Sequence, residues 1–352
     1  MASSSSPVFQ IGDRKVASNL PPVVIVEIGI NHGGDLGVAK EMVRAAVSSG
    51  AEIVKHQTHI AAEEMTEEAK TVYPANAGGQ SIWEVIDENS LSLDEEVELK
   101  AYTESLGAIY ISTPFSRAAA DFLYEIGVPA FKIGSGETDN IPLLRHIAAF
   151  GKPMIVSTGM RSIEELIEPV RILDESGAPY ALLECTNAYP TLPEHVSLQG
   201  IAELRDAFPN AVIGFSDHTM GPFMSIASVA LGASIIERHF TDTRYREGPD
   251  IICSMDPAEL RLLVDRTKEV HAAMQKPKGR APSEKKTYEF ARASIVAAHA
   301  LSAGQVLTEA DIWAKRPGTG EIAGYDFDKL IGKACKVDIP QDKLIEWKEI
   351  GD

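Results

Sequence analysis

Cysteine is scarce in this chain. Only three cysteines occur among the 352 residues, Cys185, Cys253 and Cys335, and they are widely separated. An odd, scattered set excludes the dense disulfide framework of small secreted proteins and indicates free thiols in a reducing compartment. We therefore expect a cytoplasmic protein in which Cys185, which has no obvious basic partner, is a small core residue.

Long apolar runs are absent as well. No stretch approaches the roughly 18 residues that a membrane-spanning helix requires, so we expect no membrane partner. The first residues, MASSSSPV, have neither the basic region nor the apolar region of a secretory signal. They are predicted to form a disordered lead.

Basic residues are outnumbered by acidic ones. The chain has 33 Lys and Arg against 51 Asp and Glu, which gives a formal net charge of −18. Such a charge argues against nonspecific binding to nucleic acid or to an anionic membrane. An anionic substrate would need a pocket in which positive charge is concentrated locally.

Short apolar runs recur along the chain, with helical segments between them. Eight strand–helix units over ~250 residues predict an α/β fold, a TIM (β/α)8 barrel, with a doubly wound parallel sheet as the alternative. The runs are residues 23–31, 52–58, 109–115, 130–136, 153–159, 180–187, 212–218 and 235–241.

Changes in composition divide the chain into segments. Residues 1–20 are predicted to be the lead segment and 21–274 the barrel. Residues 275–290 are rich in Pro, Lys and Gly and are predicted to be a linker, followed by a small β-rich domain over 291–352. The long interval 59–91 predicts an elaborated loop over the barrel mouth.

Two of the runs, IGFSDH and IIERHF, end in histidine. Because side chains alternate along a strand, Ser216 and His218 share one face, and Glu237 and His239 share a face of the next strand. Both histidines lie at strand C-terminal ends, where barrels place their chemistry. Two adjacent imidazoles with a carboxylate nearby predict a divalent-metal site with open positions. The alternative is a pair of ordinary, hydrogen-bonded histidines at the core edge.

The other strands also carry polar residues toward their C-terminal ends, although strands buried on both faces should be almost continuously aliphatic. Buried lysines are rare unless paired, so Lys55 and Lys132 together predict an anion site for phosphate and carboxylate. The alternatives are structural ion pairs with Glu27, Glu137 or Glu237, or a Schiff-base lysine. The polar positions are Glu27, Asn31, Lys55, Gln57, Ser112 or Thr113, Lys132, Ser135, Ser157, Asn187, Ser216, His218, Glu237 and His239.

Three further candidates come from loops. Tyr189 follows the sixth strand and Asp250 follows the eighth; either would contact sugar hydroxyls at the mouth, or simply pack or remain solvated. Arg316, in the KRPGTGE segment of the small domain, stands beside a proline and two glycines, as a presented loop arginine would. Ordinary solvent exposure is the alternative for this arginine.

Many segments also resemble one known family. The runs EIGINHGG, EIVKHQTH, ISTPFSRAAA, FKIGSGE, STGM, CTNAYPT, GFSDHT, ERHFTD, GPDIICSM and WAKRPGTG are similar to those of bacterial sialic acid synthases. This is the N-acetylneuraminate synthase family, with its legionaminate and pseudaminate synthase relatives. The likeness extends over almost the whole chain from about Phe9, and the C-terminal part resembles the family's antifreeze-like (SAF) domain.

The resemblance implies an enzyme that condenses phosphoenolpyruvate with N-acetylmannosamine and water to give N-acetylneuraminate and phosphate. It implies that His218 and His239 hold a divalent metal ion, typically manganese, with magnesium or cobalt as alternatives. Either Glu27 or Glu237 would act as the base. The implied phosphoenolpyruvate ligands are Lys55, Thr113, Lys132, Ser135, Ser157, Asn187 and Ser216. The implied sugar ligands are Glu27, Gln57, Tyr189, Asp250 and, from the partner subunit of a domain-swapped homodimer, Arg316.

One residue departs from the family pattern. Glu184 precedes Cys185 where close relatives are expected to have a histidine, and strand parity turns its side chain outward. Within the family, the alternative is a legionaminate or pseudaminate synthase, which takes a 2,4-diacetamido-2,4,6-trideoxyhexose. The alternatives from other classes are a metal-dependent pyruvate aldolase, against which the lysine and hydroxyl cluster argues, and a non-catalytic sugar- or metal-binding protein. Interior polar residues argue against the binding protein, because they cost stability unless they are used.

Overall fold

The computed structural model describes residues 7–73, 79–248 and 250–351. The chain divides into two compact units, Met1–Gln275 and Lys276–Asp352. This division falls one residue from the predicted end of the barrel at 274. The residues predicted to be disordered at the start lie outside the described ranges up to residue 6.

The first unit begins with a β-hairpin that the sequence analysis placed inside the lead segment 1–20. Strands β1 (Val8–Ile11) and β2 (Arg14–Ala17) pair antiparallel. Phe9 and Ile11 are buried among the residues that begin the barrel strands, so the hairpin covers that end of the barrel. The alternation of apolar residues around the Gly12 turn is the sequence signal for this hairpin. The adjacent run of polar serines instead favours a disordered segment, and for the hairpin residues that prediction is wrong.

Eight parallel strands close into a barrel, which confirms the predicted TIM-barrel fold and all eight predicted strands. Their order around the barrel is sequential, with the last strand pairing with the first. A doubly wound sheet would have open edges and is therefore excluded. The strands are β3 (Val23–Gly29), β4 (Ile53–Thr58), β5 (Ile109–Pro114), β6 (Phe131–Ile133), β7 (Met154–Ser157), β8 (Tyr180–Cys185), β9 (Val212–Asp217) and β10 (Ile235–His239).

Helices follow the strands and are started by capping residues. Ser92 and Ser162 each form a capping box with the glutamate three residues later, which satisfies backbone N–H groups that have no partner within the helix. The helices of this unit are α1 (Leu36–Ser48), α2 (Ala61–Glu64), α3 (Ile82–Asn89), α4 (Leu93–Ser105), α5 (Arg117–Glu125), α6 (Ile141–Ala148), α7 (Ile163–Ser176), α8 (Gly200–Ala207), α9 (Phe223–Ala230) and α10 (Pro257–Met274).

The interval 59–91 is elaborated, as predicted. It contains α2, a 3-10 turn over Glu67–Thr71, and α3. The part of the predicted loop over 74–78 lies outside the described residues.

Alternation along the strands produces two separate apolar layers. Val24 and Val26 point outward and pack against helices, whereas Ile25 points into the barrel and joins an inner cluster with Ile53 and Ile235. The inner cluster fills the half of the barrel nearest the strand N-termini. The inward positions toward the strand C-termini are polar, and they build the candidate site.

The second unit is small and rich in β-structure, as predicted. Strand β11 (Ser294–Ala297) pairs antiparallel with β12 (Ile312–Lys315), around a core that includes Ile295, Leu307 and Ile339. Part of the predicted linker 275–290 is not irregular, because helix α11 (Lys285–Ala291) begins within it. Within the described part of the chain, no helix is both long and apolar enough to cross a membrane.

Candidate active site

A cavity of about 140 Å³ opens at the C-terminal ends of the barrel strands. Most of the candidate residues line it, because each occupies an inward position near the end of its strand or in the loop that follows. They are Lys55, Gln57, Thr113, Lys132, Ser135, Ser157, Asn187, Tyr189, Ser216, His218, Glu237 and His239.

A larger cavity of about 520 Å³ lies beside this one and shares Phe115 with it. Its lining includes Glu137, Arg117 and His146 but neither the buried lysines nor the histidine pair. The smaller cavity is therefore the candidate active site, because the chemically competent groups converge there.

Lys55 is the hub of the charged groups in the mouth. Its Nζ lies 2.9 Å from Glu27 Oε2 and 3.3 Å from Glu237 Oε1, and it donates a hydrogen bond of 3.2 Å to Thr113. Burial opposes the charged ammonium, but the two carboxylates outweigh burial and raise the pKa of Lys55. The ion pairs foreseen as the structural alternative therefore form with Glu27 and Glu237, while the Glu137 side chain accepts instead from Asn140.

Lys132 is bound less tightly to carboxylate. It donates to Ser157 Oγ over 2.7 Å and to a backbone carbonyl, and lies 3.6 Å from Glu237. Burial, opposed by Glu237 and reinforced by the nearby ammonium of Lys55, lowers the pKa of Lys132 to about 8. This lysine therefore has a cationic head that an added anion can stabilise.

Ser135 breaks the parity of its strand, as its neighbouring glycines Gly134 and Gly136 predicted. Strand β6 ends at Ile133, and Ser135 begins a 3-10 turn. Its hydroxyl accepts from the backbone N–H of Gly159 over 3.1 Å and lines the same cavity as Lys132.

Glu27 and Glu237 share one lysine, but their environments separate their protonation. Burial, with the charge of Glu237, raises the pKa of Glu27 despite Lys55. For Glu237, the burial penalty is exceeded by attraction to Lys132 and Lys55, which lowers its pKa. Two carboxyl groups with opposite shifts suit different roles in proton transfer.

His218 and His239 lie side by side, with ring centroids 5.4 Å apart. Burial lowers their pKa values to about 4 and about 3, so both imidazoles are neutral at physiological pH. The Nδ1–H of His218 donates to the carbonyl of Thr186 over 2.8 Å, which leaves its Nε2 available. His239 Nδ1 is buried without a hydrogen-bond partner.

These two imidazoles fit a divalent metal ion as ligands. A neutral ring with one nitrogen tied to a carbonyl is the usual form of a metal-ligating histidine. Among the described residues, no set of three His, Cys, Asp or Glu side chains is grouped to hold a metal.

A buried ion pair ties together the two strands that carry the histidines. Asp217 and Arg238 are register partners on β9 and β10, pointing outward between the inward functional residues. Arg238 Nη1 donates to Asp217 Oδ2 over 2.5 Å, and Arg238 Nη2 donates to the carbonyl of Thr219 over 2.7 Å. With both side chains almost fully buried, this pair fixes the spacing of the strand ends.

Of the predicted sugar ligands in the first unit, Gln57 and Tyr189 line the cavity, whereas Glu27 and Asp250 lie next to lining residues without lining it themselves. Gln57 Nε2 donates to Glu27 Oε1 over 2.8 Å, and Asp250 Oδ2 lies 3.7 Å from His239 Nδ1. The Tyr189 ring is 4.2 Å from that of His218. Arg316 belongs to the second unit, where it is exposed directly after β12, and its role stays a prediction.

Glu184 points outward, as strand parity predicted. Its carboxylate lies beside Gly200, where an added Cβ would come within 2.7 Å of Glu184 Oε2. Cys185 is buried as expected but lines the active-site cavity, and burial raises its pKa to about 11. Phe115 also lines the cavity, and its sequence carries no signal for this, because an apolar ring directly after β5 is typical of the core.

The fold and the site together define a TIM-barrel protein whose mouth holds two buried lysines beside a neutral histidine pair. Comparison with known families makes this more specific: residues 42–279 match the NeuB family and residues 292–351 match the SAF domain. The chain therefore belongs to the NeuB family, and the SAF match agrees with the predicted small domain.

Its relatives cover nearly the full chain. It is 37% identical to an uncharacterised protein of Methanocaldococcus jannaschii, over 97% of this chain and 98% of that protein. It is 35% identical to the N,N'-diacetyllegionaminic acid synthase of Campylobacter jejuni, over 92% of this chain and 98% of that protein. It is also 35% identical to human N-acetylneuraminate-9-phosphate synthase, over 94% and 93%.

Solved structures agree with this assignment. The sialic acid synthetase of Leptospira borgpetersenii, crystallised with citrate, aligns with a TM-score of 0.73 and 30% identity, over 81% of this chain and 96% of that one. The spore coat polysaccharide biosynthesis protein SpsE of Bacillus subtilis aligns with a TM-score of 0.66 and 31% identity, over 98% and 99%.

The pKa of Lys132 predicts pH-dependent anion binding. Sulfate keeps a constant charge from pH 6.5 to 9.5, so a change in its affinity reports on the protein. We expect sulfate affinity, measured by calorimetry, to decrease above pH 8 by up to about tenfold per unit, because the ammonium loses its proton there. Lys132→Met should bind sulfate weakly and without this dependence; a similar decrease in the variant would contradict the assignment.

Proposed function

We propose that this protein is a phosphoenolpyruvate-dependent transferase that makes N-acetylneuraminate and phosphate from phosphoenolpyruvate, N-acetylmannosamine and water. One observation carries the proposal: two buried lysines and a neutral histidine pair face the same small cavity. An enol phosphate and an aldehyde must meet in such a reaction. The lysines suit the enol phosphate, and the histidine pair suits the aldehyde.

The lysine side of the cavity suits phosphoenolpyruvate. Its phosphate and carboxylate carry negative charge that the ammonium groups of Lys55 and Lys132 would balance. Hydroxyl and amide groups in the same lining supply further hydrogen bonds, from Thr113, Ser135, Ser157, Asn187 and Ser216. Pyruvate has a carboxylate but no phosphate, so a pyruvate aldolase would not need this phosphate-binding group of residues. The lysine and hydroxyl cluster therefore argues against that class.

The histidine side suits a metal ion and the sugar aldehyde. His218 and His239 would hold the ion, most plainly manganese, with magnesium or cobalt as alternatives. Such an ion supplies Lewis acidity that polarises the aldehyde oxygen. Gln57, Tyr189 and Asp250 would bind and orient the sugar, which supplies part of the rate through positioning.

The chain's own acid–base groups suit the remaining steps. The electron pair of the C2–C3 double bond of phosphoenolpyruvate forms the bond from C3 to the aldehyde carbon. The aldehyde oxygen becomes an alkoxide that takes up a proton, and C2 is left with cationic character. Glu27, whose raised pKa suits proton transfer near neutrality, accepts a proton from the water that adds at C2. Loss of the proton from the new C2 hydroxyl then forms the keto group and breaks the bond between C2 and the bridging oxygen, which leaves with the phosphate, while Lys55 and Lys132 stabilise the charge of the phosphate.

We further propose a cytoplasmic homodimer in which Arg316 of one copy completes the sugar site of the other. All three cysteines are unpaired, which fits a reducing compartment. Apolar side chains exposed in the loops after the barrel strands, or at the start of the helix that follows, support a covering partner. They include Met160, Leu192, Met220, Phe223, Tyr245 and Ile252.

A second sugar is favoured by the comparisons. Relatives from Campylobacter jejuni and Legionella pneumophila, 35% and 33% identical, are named N,N'-diacetyllegionaminic acid synthases. The same chemistry applied to a 2,4-diacetamido-2,4,6-trideoxyhexose would make this chain a legionaminate synthase, or a pseudaminate synthase with the corresponding isomer. The non-catalytic binding protein is the remaining alternative.

Phosphate release from phosphoenolpyruvate tests the reaction directly. We expect release that requires both manganese and an acceptor sugar and that stops when the metal is removed with a chelator. Faster turnover with N-acetylmannosamine than with 2,4-diacetamido-2,4,6-trideoxymannose supports the sialic acid product, and the reverse order moves the proposal to legionaminate. No release with any of the proposed sugars after confirmed metal loading would overturn the synthase proposal.

Mixing two inactive variants tests the shared site. Lys132→Met removes the anion site of one chain, and Arg316→Ala removes the arginine that the chain gives to its partner. If Arg316 acts across the dimer, each mixed dimer regains one intact site, so an equimolar co-refolded mixture should recover about a quarter of wild-type activity. Dimers without recovery would show that Arg316 acts within its own chain, and a monomeric wild-type chain would exclude the shared site.

A further inference from the structure

A line of hydrogen-bonded side chains connects the loop after β4 to the interior of the barrel. His59 Nδ1 lies 3.0 Å from both carboxylate oxygens of Glu64, and His59 Nε2 lies 3.1 Å from Gln57 Oε1. Gln57 then donates from Nε2 to Glu27 Oε1 over 2.8 Å. The side chains of His59 and Glu64 are only 3% and 7% exposed, so water competes little for these bonds.

The line determines which end of the Gln57 amide faces Glu27. An amide can present either its oxygen or its NH2 group, and only the NH2 group can bond to a carboxylate. When the imidazole carries a proton on both nitrogens, Nδ1–H donates to Glu64 and Nε2–H donates to Gln57 Oε1, and the amide NH2 is then the end left for Glu27. His59 thus acts on the barrel interior without entering the cavity.

The backbone is shaped to admit the Gln57–Glu27 bond. Gly29, at the end of β3, has φ +49, and the strand register shifts between Glu27 and Gly29. A Cβ on Gly29 would lie 3.0 Å from Glu27 Oε1 and 3.3 Å from Gln57 Nε2. This glycine therefore gives the two side chains the room to meet.

His59 is also held through the face of its ring. It stacks on Phe115, with centroids 4.2 Å apart and planes 12° apart, and Phe115 lines the active-site cavity. Stacking and two hydrogen bonds together leave the ring one orientation. The position of α2, which carries Glu64, is thereby linked to the orientation of two groups on the proposed sugar side.

We propose that His59 and Glu64 are positioning residues for the acceptor sugar: they fix the Gln57 amide, and through it the Glu27 carboxylate, in the orientation that the sugar meets. This inference rests on the proposed function. On the phosphoenolpyruvate side, the 2.7 Å bond from Lys132 to Ser157 and the 3.3 Å ion pair of Lys55 with Glu237 do not involve Gln57, so the larger effect is expected on the sugar.

Replacing His59 with Phe isolates the hydrogen bonds, because the new ring can still stack on Phe115. We expect the KM for the sugar to rise and kcat to fall, together about tenfold, as for the loss of one buried hydrogen bond. The KM for phosphoenolpyruvate should stay within about twofold of wild type, since no contact on that side is removed. His59→Gln, which keeps a donor, should recover part of the loss, and Glu64→Gln should resemble a milder His59→Phe.

The control is another histidine–carboxylate pair in the same barrel. His146 Nε2 lies 2.6 Å from Asp121 Oδ1, and its ring packs edge-on against Phe150, with centroids 5.0 Å apart. His146→Phe removes a histidine–carboxylate bond that is more exposed, with side chains 22% and 48% exposed, and it touches neither Gln57 nor Glu27, so its sugar KM should match wild type.

An unchanged sugar KM in His59→Phe, or an equal rise in His146→Phe, would overturn the inference. If the wild-type chain itself does not turn over, the proposed function fails separately. A crystal structure of His59→Phe then decides the inference alone. A turned Gln57 amide would support it, and an intact bond from Gln57 to Glu27 would overturn it.

Discussion

A lysine ammonium held between two carboxylates is the interaction on which the rest of the mouth depends. Lys55 would be too costly to bury as an isolated cation, and Glu27 and Glu237 make its burial possible. The arrangement leaves the three groups unequal, because Glu237 is held as carboxylate by two lysines while the pKa of Glu27 is raised. A single cluster therefore combines concentrated positive charge with a carboxyl group, that of Glu27, whose raised pKa suits proton transfer near neutrality.

Because side chains alternate along each strand, the same strand ends carry polar residues on both the inner and the outer face of the barrel. Inward residues near the strand ends form the candidate site, while the residues between them point outward into buried networks. Asp217 lies between Ser216 and His218 in the sequence, and its partner Arg238 lies between Glu237 and His239. On β4, His56 is 3.4 Å from Glu96 of the neighbouring helix and lies between Lys55 and Gln57. Burying the charges of these outward networks costs desolvation free energy. Once formed, the networks hold the strands at fixed separations near the candidate site.

The sequence predicted the barrel and most of the cavity because both follow from one periodicity. Polar residues spaced by two at strand ends must share a face, so Lys55 with Gln57 and Glu237 with His239 were found without coordinates. Contacts made by loop residues follow no such periodicity, so the sequence pattern does not predict them. The bond from His59 to Gln57, and the hairpin packing through Ile11, needed the folded chain to be recognised. Arg316 illustrates a further limit, because the role of an exposed loop arginine depends on a partner that its own sequence does not describe.

The most direct test of the account is the fate of the bridging oxygen of phosphoenolpyruvate. In the proposed mechanism water adds at C2 and the lysine cluster stabilises the departing phosphate, so the C2–O bond should break rather than the P–O bond. With phosphoenolpyruvate labelled with 18O at the bridging position, metal and acceptor sugar, mass spectrometry should find the label in inorganic phosphate and not in the keto acid. Label retained in the keto acid would contradict the account, because the anion site would then serve phosphoryl transfer instead.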